Sequence, residues 1–482
     1  MNDQSPRRPN VLFFLTDDHA SAAISAYGSR VNTTPRIDAI AENGVRFDRA
    51  LVNNALCTPS RAAILTGTYS HVNGVTTLAT PMDSGQPTFV SELKAAGYRT
   101  AIFGKWHLGH GEGHDPQGFD HWEIHADQGT YTDPVFLTAD GPVELEGYAT
   151  DLLTDRAIAW LDEQEGDEPW CVLVWFKAPH RPWVPHERHM GLYTAEIPLP
   201  ETFDDDYSGR GTPAHHATMR VAEDLTDVDL KEDPPEGLDY DGLARWKYQR
   251  YMADYLRCVA AVDENVGRLV DHVAARGEAA DTLTIYGSDQ GFFLGEHGWF
   301  DKRFMYEESL RMPLVMSYPR KVPAGRSTEA LVSNVDLAQT ILDAAGVPAP
   351  PRMQGISLLP TLAGEADAPA RDSFYYRFYE HDDREHHVWA HYGVRTDRYK
   401  LIYYYADGLG LPNTRNTTYP PEWELFDLET DPQELRSVHD DPAYRDVRDE
   451  LTGQLAKLQA ELGDDAYVRP SPAERAAALG RL

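Results

Sequence analysis

The sequence predicts an α/β protein built on a large, mostly parallel sheet. Three observations carry this. Short continuous apolar runs at residues 11–15, 170–176 and 282–286 suit strands buried on both faces. Amphipathic helical stretches fall between them, which is the alternation of parallel-sheet folds. The runs also stop abruptly at polar residues: Asp17-Asp18, Lys177-x-x-His180 and Asp289-Gln290, with Lys105-x-His107 closing a fourth run at 98–103. In open α/β sheets, ligands sit beyond the carboxyl ends of the strands, so these four polar ends are candidate site positions.

Taken in order, residues 35–43 read as a helix with Ile37, Ile40 and Ala41 on one face and Gly44 as its stop. A short strand follows at 45–48. A helix starts near Thr58 or Pro59, with Cys57 at its N-terminal end, because proline is tolerated in a first turn. Residues 88–96 are helical and lead into the strand at 98–103; the helix at 151–164 leads into that at 170–176. Residues 197–243 are polar, acidic and rich in proline and glycine, and read as a long surface excursion. The longest helical pattern is 246–275. A strand at 313–318 and a helix at 335–345 follow the strand at 282–286. Residues 347–370, rich in proline, glycine and alanine, read as a linker over the surface. Aromatic, β-prone runs at 374–376, 392–394 and 399–405 predict a small antiparallel sheet, and 444–462 a terminal helix. Two units result, 1–370 and 371–482, and no internal repeat.

With 482 residues and 41% hydrophobic content the chain can bury a large core. Its formal charge of −33, from 77 acids against 44 bases, argues against nucleic-acid binding through a general basic surface. The three cysteines, Cys57, Cys171 and Cys258, are odd in number and sparse, so no disulfide framework is indicated and a reduced compartment is expected. The run at 11–15 is too short for a signal-peptide core, and no stretch is long enough to span a bilayer. The expectation is a soluble cytoplasmic protein with no nucleic-acid or membrane partner. Oligomeric state leaves no mark in the sequence.

The chemistry centres on Cys57-Thr58-Pro59-Ser60-Arg61. Orphan amides and the dipole at a helix start favour an anion, and Arg61, within one turn, adds a forked cation. Asp17 and Asp18 are adjacent carboxylates, costly together unless a cation sits between them. With Asp289 and Gln290 they make a set of hard oxygen ligands, which suits Ca²⁺ or Mg²⁺. Lys105 and His107 are two apart and point to one side of an extended chain. Together with Lys177, His180 and Lys302 they suggest a pocket for a tetrahedral oxyanion, with histidine able to protonate a leaving group. Cysteine phosphatases separate their cysteine and arginine by a longer loop and need no metal; three residues intervene here.

These segments resemble the type I sulfatases. Cys57 to Arg61 with Leu65-Thr66-Gly67 is similar to the family's first signature, and Gly104-Lys105-Trp106-His107-Leu108-Gly109 to its second. Ser288-Asp289-Gln290-Gly291, Gly295-Glu296-His297-Gly298 and Lys302 resemble its second metal segment. Glu424-Leu425-Phe426-Asp427-Leu428 with Asp431-Pro432 matches a recurrent family ending. The resemblance implies an alkaline-phosphatase-like fold and conversion of Cys57 to formylglycine by a formylglycine-generating enzyme. It implies that Asp17, Asp18, Asp289 and Gln290 bind Ca²⁺ with residue 57, and that Arg61 and Lys105 steady the nucleophile. His107 would contact its second hydroxyl, and His180 and Lys302 would bind sulfate and assist the leaving oxygen. Gln290 departs from the family, where Asn or His is more usual, and offers its carbonyl from one methylene further out. The expected activity is hydrolysis of a small-molecule or oligosaccharide sulfate ester. Its rivals are a phosphonate monoester or phosphodiester hydrolase of the same superfamily and an unmodified, anion-binding relative whose Cys57 stays a thiol. The segment 380–391 resembles bacterial enzymes acting on sulfated sugars, which makes a carbohydrate sulfate the expected substrate; Lys177, His215, His386 and His391 are the substrate-binding candidates.

Overall fold

A computed structural model describes residues 8–468. Residues 1–7 and 469–482, the outer ends of the two expected units, lie outside the described residues. The large sheet has ten strands, in chain order β1 Asn10–Thr16, β2 Val45–Phe47, β3 Arg99–Gly104, β4 His121–His125, β5 Val135–Thr138, β6 Gly141–Glu144, β7 Trp170–Trp175, β8 Thr282–Ser288, β9 Leu314–Ser317 and β10 Arg326–Thr328. Their spatial order is β10-β2-β9-β8-β1-β7-β3-β4-β5-β6. The middle of the sheet, from β8 through β1, β7 and β3 to β4, is parallel throughout. The margins turn antiparallel, with β9 running against β8 and β5 against β4.

The central strands are apolar because both of their faces are covered. Along β1, Val11, Phe13 and Leu15 join one core cluster while Leu12 and Phe14 join the other, following the two-residue period of a strand. The first cluster is completed by helices α2 Cys57–Thr66, α3 Phe89–Ala95 and α6 Asp336–Ala345. The second is completed by α1 Pro35–Glu42, α4 Ala149–Asp162 and α5 Tyr240–Ala275. This is a three-layer sandwich whose strand ends open on one edge. No helix among the described residues is long and apolar enough to cross a membrane.

A second, four-stranded antiparallel sheet follows, formed by β11 Ser373–Phe378, β12 His391–Thr396, β13 Tyr399–Tyr404 and β14 Glu422–Asp427. Helix α7, Arg445–Leu462, packs on it. The Tyr376 hydroxyl accepts from the Ala55 amide, and the Arg377 amide donates to the Asn53 carbonyl. The small sheet therefore braces the loop that leads into α2.

Two expectations are corrected. Residues 197–243 are not merely a surface excursion: Ile197, Phe203, Val221, Leu225 and Leu230 lie in one core cluster, and Tyr207, Ala214, Ala217 and Met219 in the other. Its polar composition conceals single apolar anchors set between turns. Residues 347–370 also do more than link, since Leu358 and Leu362 are buried and the Gln354 amide donates to the Gly67 carbonyl at the end of α2. Helix α5 begins at Tyr240, earlier than the apolar pattern indicates, because the Asp239 side chain caps it by accepting from the Gly242 amide.

Candidate active site

Register places the carboxylates. Thr16 of β1 is paired with Ser288 of β8, so Asp17 and Asp289 leave neighbouring strands side by side. The Asp289 amide donates to the Thr16 carbonyl, and the Asp18 amide donates to Asp289 Oδ1 at 3.3 Å. Asp17, Asp18 and Asp289 are fully buried, and each offers an oxygen within 4.8 Å of the others. Burial and the charge of Asp17 push the Asp289 carboxyl up to about 7. Burial also raises Asp18, despite the Lys302 ammonium beside it. Burial acts on Asp17 in the same direction, but Lys105, His180, Arg61 and Lys302 together hold it well below the usual range. Gln290 Nε2 donates to Asp18 Oδ1 at 2.6 Å, while its buried Oε1 has no partner. Three buried carboxylates meeting at one point beside an orphaned amide oxygen form an all-oxygen donor set that fits a hard divalent cation.

Helix α2 aims its N-terminus at this point. Cys57 is its first residue, 1% exposed, with Sγ 3.2 Å from Asp17 Oδ1 and 3.6 Å from Gln290 Nε2. Burial first, and Asp17 second, push the Cys57 thiol pKa far up. The side chain is therefore held as a thiol, the weakly nucleophilic form. Arg61 is fully buried; Nε donates to Asp289 Oδ2 at 3.0 Å and Nη1 to the Lys105 carbonyl at 2.6 Å. It thereby ties the end of β8 to the end of β3.

The other cations close the ring. Lys105 Nζ donates to Asp17 and to Gln128 Oε1. Lys302 Nζ donates to Asp18 at 2.7 Å; burial works against its charge, but Asp18 together with Cys57, Asp301 and Asp17 outweighs this and holds its pKa up. His180 Nδ1 lies 2.5 Å from the Arg181 carbonyl, which makes Nδ1 the donor and turns Nε2 toward Asp18, 3.7 Å away. His107 Nδ1 lies 3.3 Å from Thr58 Oγ1. Burial, with Lys105 next, holds His107 well below the usual histidine range. Of these residues, His107, His180 and Gln128 are only half-buried, so the site opens to solvent between them.

The substrate-binding candidates scatter. Lys177 sits one layer back, over the Tyr131 ring and donating to the Arg181 carbonyl; burial, then Lys105, lower it to about 8. His386 lies between Asp383 and Asp301, and so behind Lys302. His215 is exposed, edge-on to Tyr207, away from the carboxylates. His391 is fully buried among Tyr376, Phe378 and Tyr404, with Nδ1 against the Trp389 carbonyl. Burial pushes its pKa down to about 3. The structure does not bring His215 or His391 to the site. The segment 380–391 does border it: Glu380 Oε2 accepts from the Leu78 amide beside Thr58, and Asp383 lies 3.8 Å from Arg303, the residue after Lys302. There Asp383, Arg384, Asn413, Arg415 and Thr417 line a polar cleft of about 680 Å³.

Sequence reasoning misses Gln128. It follows β4, whose alternating sequence His-Trp-Glu-Ile-His hides a strand ending at the same edge as the other four.

A family model described as Sulfatase matches residues 9–347, and one described as N-sulphoglucosamine sulphohydrolase, C-terminal, matches residues 295–461. The chain is 42% identical to N-acetylglucosamine-6-O-sulfatase of Bacteroides thetaiotaomicron, over 96% of its own length and 88% of that protein's. A solved structure described as in complex with its substrate D-glucosamine-2-N,6-O-disulfate superposes with a TM-score of 0.89 at 41% identity. That match covers 95% of this chain and 99% of the other. The phosphonate monoester hydrolase of Silicibacter pomeroyi shares the fold, with a TM-score of 0.74 at 24% identity over 94% of this chain and 96% of that one.

Proposed function

Since this chain belongs to the sulfatase family, with the alkaline-phosphatase-like fold and sulfuric ester hydrolysis that go with it, we propose that its substrate is a 6-O-sulfated glucosamine. The observation that carries this is the identity to an N-acetylglucosamine-6-O-sulfatase along nearly the whole chain.

Asp17, Asp18, Asp289 and the Gln290 carbonyl would hold Ca²⁺, or Mg²⁺ in its place, beside residue 57. A divalent cation there supplies positive charge against the sulfate oxygens. Cys57, converted to formylglycine by a formylglycine-generating enzyme and hydrated, supplies a hydroxyl nucleophile where a buried thiol is inert. The chain's own residues do the rest. The N-terminal amides of α2 and Arg61 favour an anion at residue 57. Lys105 and Lys302, held on Asp17 and Asp18, would turn ammonium donors to the sulfate oxygens. His107 stands beside Thr58, the residue after the nucleophile. His180 has Nδ1 committed to the Arg181 carbonyl, so a proton bound for the leaving oxygen passes through Nε2. The sugar ring would lie in the cleft of Asp383, Arg384 and Arg415, whose Asp383 faces Arg303, the residue after Lys302. On this reading residues 1–370 carry the chemistry and residues 371–482 the recognition of the sugar.

The test is inorganic sulfate release from N-acetylglucosamine-6-sulfate by protein co-expressed with a formylglycine-generating enzyme. Aryl phosphonate monoester and phosphodiester assays run in parallel, with a peptide mass spectrum across residue 57. Sulfate release with an aldehyde at residue 57 is the expected result. Faster turnover of the phosphorus esters would overturn it in favour of that hydrolase class. A persistent thiol without turnover would leave an anion-binding protein.

A further inference from the structure

We propose that Gln128 is a positioning residue that fixes the tautomer of His107. The inference rests on the reading above, in which Lys105 and His107 flank the residue-57 nucleophile. Gln128 stands between the two: its Oε1 meets Lys105 Nζ and its Nε2 is 3.3 Å from His107 Nε2.

The orientation of this amide is forced by chemistry. An ammonium has donors only, so the atom that meets Lys105 must be the amide oxygen. The NH₂ is then the group facing His107. An amide NH₂ also only donates, so His107 Nε2 must be the bare, accepting nitrogen. In the neutral ring the proton therefore sits on Nδ1, which faces Thr58 Oγ1 at 3.3 Å. The Thr58 hydroxyl has the Leu78 carbonyl at 3.5 Å as its own acceptor. Lys105, Gln128, His107, Thr58 and Leu78 thus form one chain of matched donors and acceptors; flipping the amide would set its NH₂ against the Lys105 ammonium, and flipping the ring would put C–H groups where Nε2 and Nδ1 now face Gln128 and Thr58.

The backbone is built to deliver Gln128 there. Strand β4 runs parallel to β3 and ends at His125, and a turn closes with the Gly129 amide donating to the Ala126 carbonyl at 2.9 Å. Gly129 has φ +71°, and a Cβ there would stand 2.5 Å from His125 Cγ. A larger residue is excluded on both counts. The His125 ring is buried, has neither nitrogen bonded, and lies 4.8 Å from the Phe136 ring. It acts as an apolar platform on which the turn rests. Gln128 is half-buried at the mouth, so its side chain reaches inward from the solvent edge. The consequence is that His107 presents an N–H, not a lone pair, toward Thr58.

The test reads the tautomer directly. Protein labelled with ¹⁵N-histidine is compared with its His107→Phe variant, which identifies the His107 signals by their loss. The expected pattern is Nε2 as the bare nitrogen and Nδ1 as the protonated one. Gln128→Glu replaces the donor with an acceptor and should place a proton on Nε2. Gln128→Leu should lower kcat about tenfold, the worth of one positioned hydrogen bond, with KM within about twofold. A wild-type His107 protonated at Nε2, an unchanged pattern in Gln128→Glu, or wild-type kcat in Gln128→Leu would each overturn the proposal. If Gln128→Leu does not fold, the near-isosteric Gln128→Glu still decides. The nitrogen signals need no turnover, so failure of the sulfatase assay and failure of this proposal are separate results.

Discussion

Two clusters of buried charge in this protein pair acids with cations but arrange the acids differently. Below the small sheet, Glu307 and Glu434 each face Lys400, at 2.9 and 2.6 Å, and Arg395 lies 3.2 Å from Glu307. Glu434 also accepts from the Glu307 amide at 2.7 Å. Burial alone would raise the Glu307 carboxyl, but Lys400, Arg311 and Arg395 hold it well below the usual range. Each acid there meets a cation or an N–H. At the ends of β1 and β8 the carboxylates of Asp17, Asp18 and Asp289 meet one another, with Arg61, Lys105 and Lys302 arrayed around them. Like charges brought together in a dry interior cost free energy that packing alone does not return. In the first cluster the acids are spread around a shared lysine; in the second they converge on one point beside the orphaned Gln290 Oε1, which is the form of an ion-binding centre.

The contrast is tested most severely at residue 57. Cys57→Ala is expected to abolish sulfate release while changing stability by no more than about 1 kcal/mol, since little volume is lost. Turnover near the wild-type rate would remove residue 57 from the chemistry. Asp289→Asn keeps the shape but removes a charge. Elemental analysis after dialysis should show calcium lost, with kcat/KM down by about 100-fold. Undiminished calcium would take Asp289 off the ligand set. Glu307→Gln should do the reverse. Denaturant titration should show a loss of about 3–5 kcal/mol, because Lys400 and Arg395 stay buried with less to balance them, while the folded fraction keeps its kcat. A drop in bound calcium instead would mean the two clusters are not independent.

Smaller effects sharpen the boundary. His391→Phe should leave kcat/KM unchanged and cost less than about 1.5 kcal/mol, as an aromatic exchange within an aromatic core; a fall in kcat/KM would return His391 to substrate contact. His386 gives the smallest effect. Burial and Arg303 lower its pKa, but Asp301 and Asp383 raise it further, so it ends above the ordinary value. The stability it contributes is fully present below about pH 6.5 and is lost as pH rises through the raised folded value. His386→Gln should flatten that limb of the stability–pH curve, and an unaltered curve would show the imidazolium to be unimportant.

Legibility in the sequence follows burial. Strands β1, β7 and β8 are covered on both faces, so each is an unbroken apolar run, and the polar residues ending them stand out. Strand β4 lies nearer the margin, where His121 packs on Phe103 and Glu123 pairs with Arg156. Its mixed composition hides the strand, and Gln128 with it. Residues 197–243 defeat the pattern differently, since anchors such as Phe203 and Met219 have no period to detect. The converging carboxylates are legible because adjacent aspartates after an apolar strand have few uses. The scattered histidines are not: His391 on its strand and His215 on its loop look alike until burial separates them.

Cys57 is 1% exposed, on a helix buried along its whole length, and Gln290, which touches it, follows 233 residues later. At roughly 5–20 residues per second of synthesis, the two leave the ribosome about 10 to 50 seconds apart. Any enzyme that must grip residue 57 has that interval, plus the time the chain takes to close, in which to act. On the proposal that Cys57 becomes formylglycine, maturation is a race between oxidation and folding, and a slower-folding variant would give the oxidising enzyme a longer start.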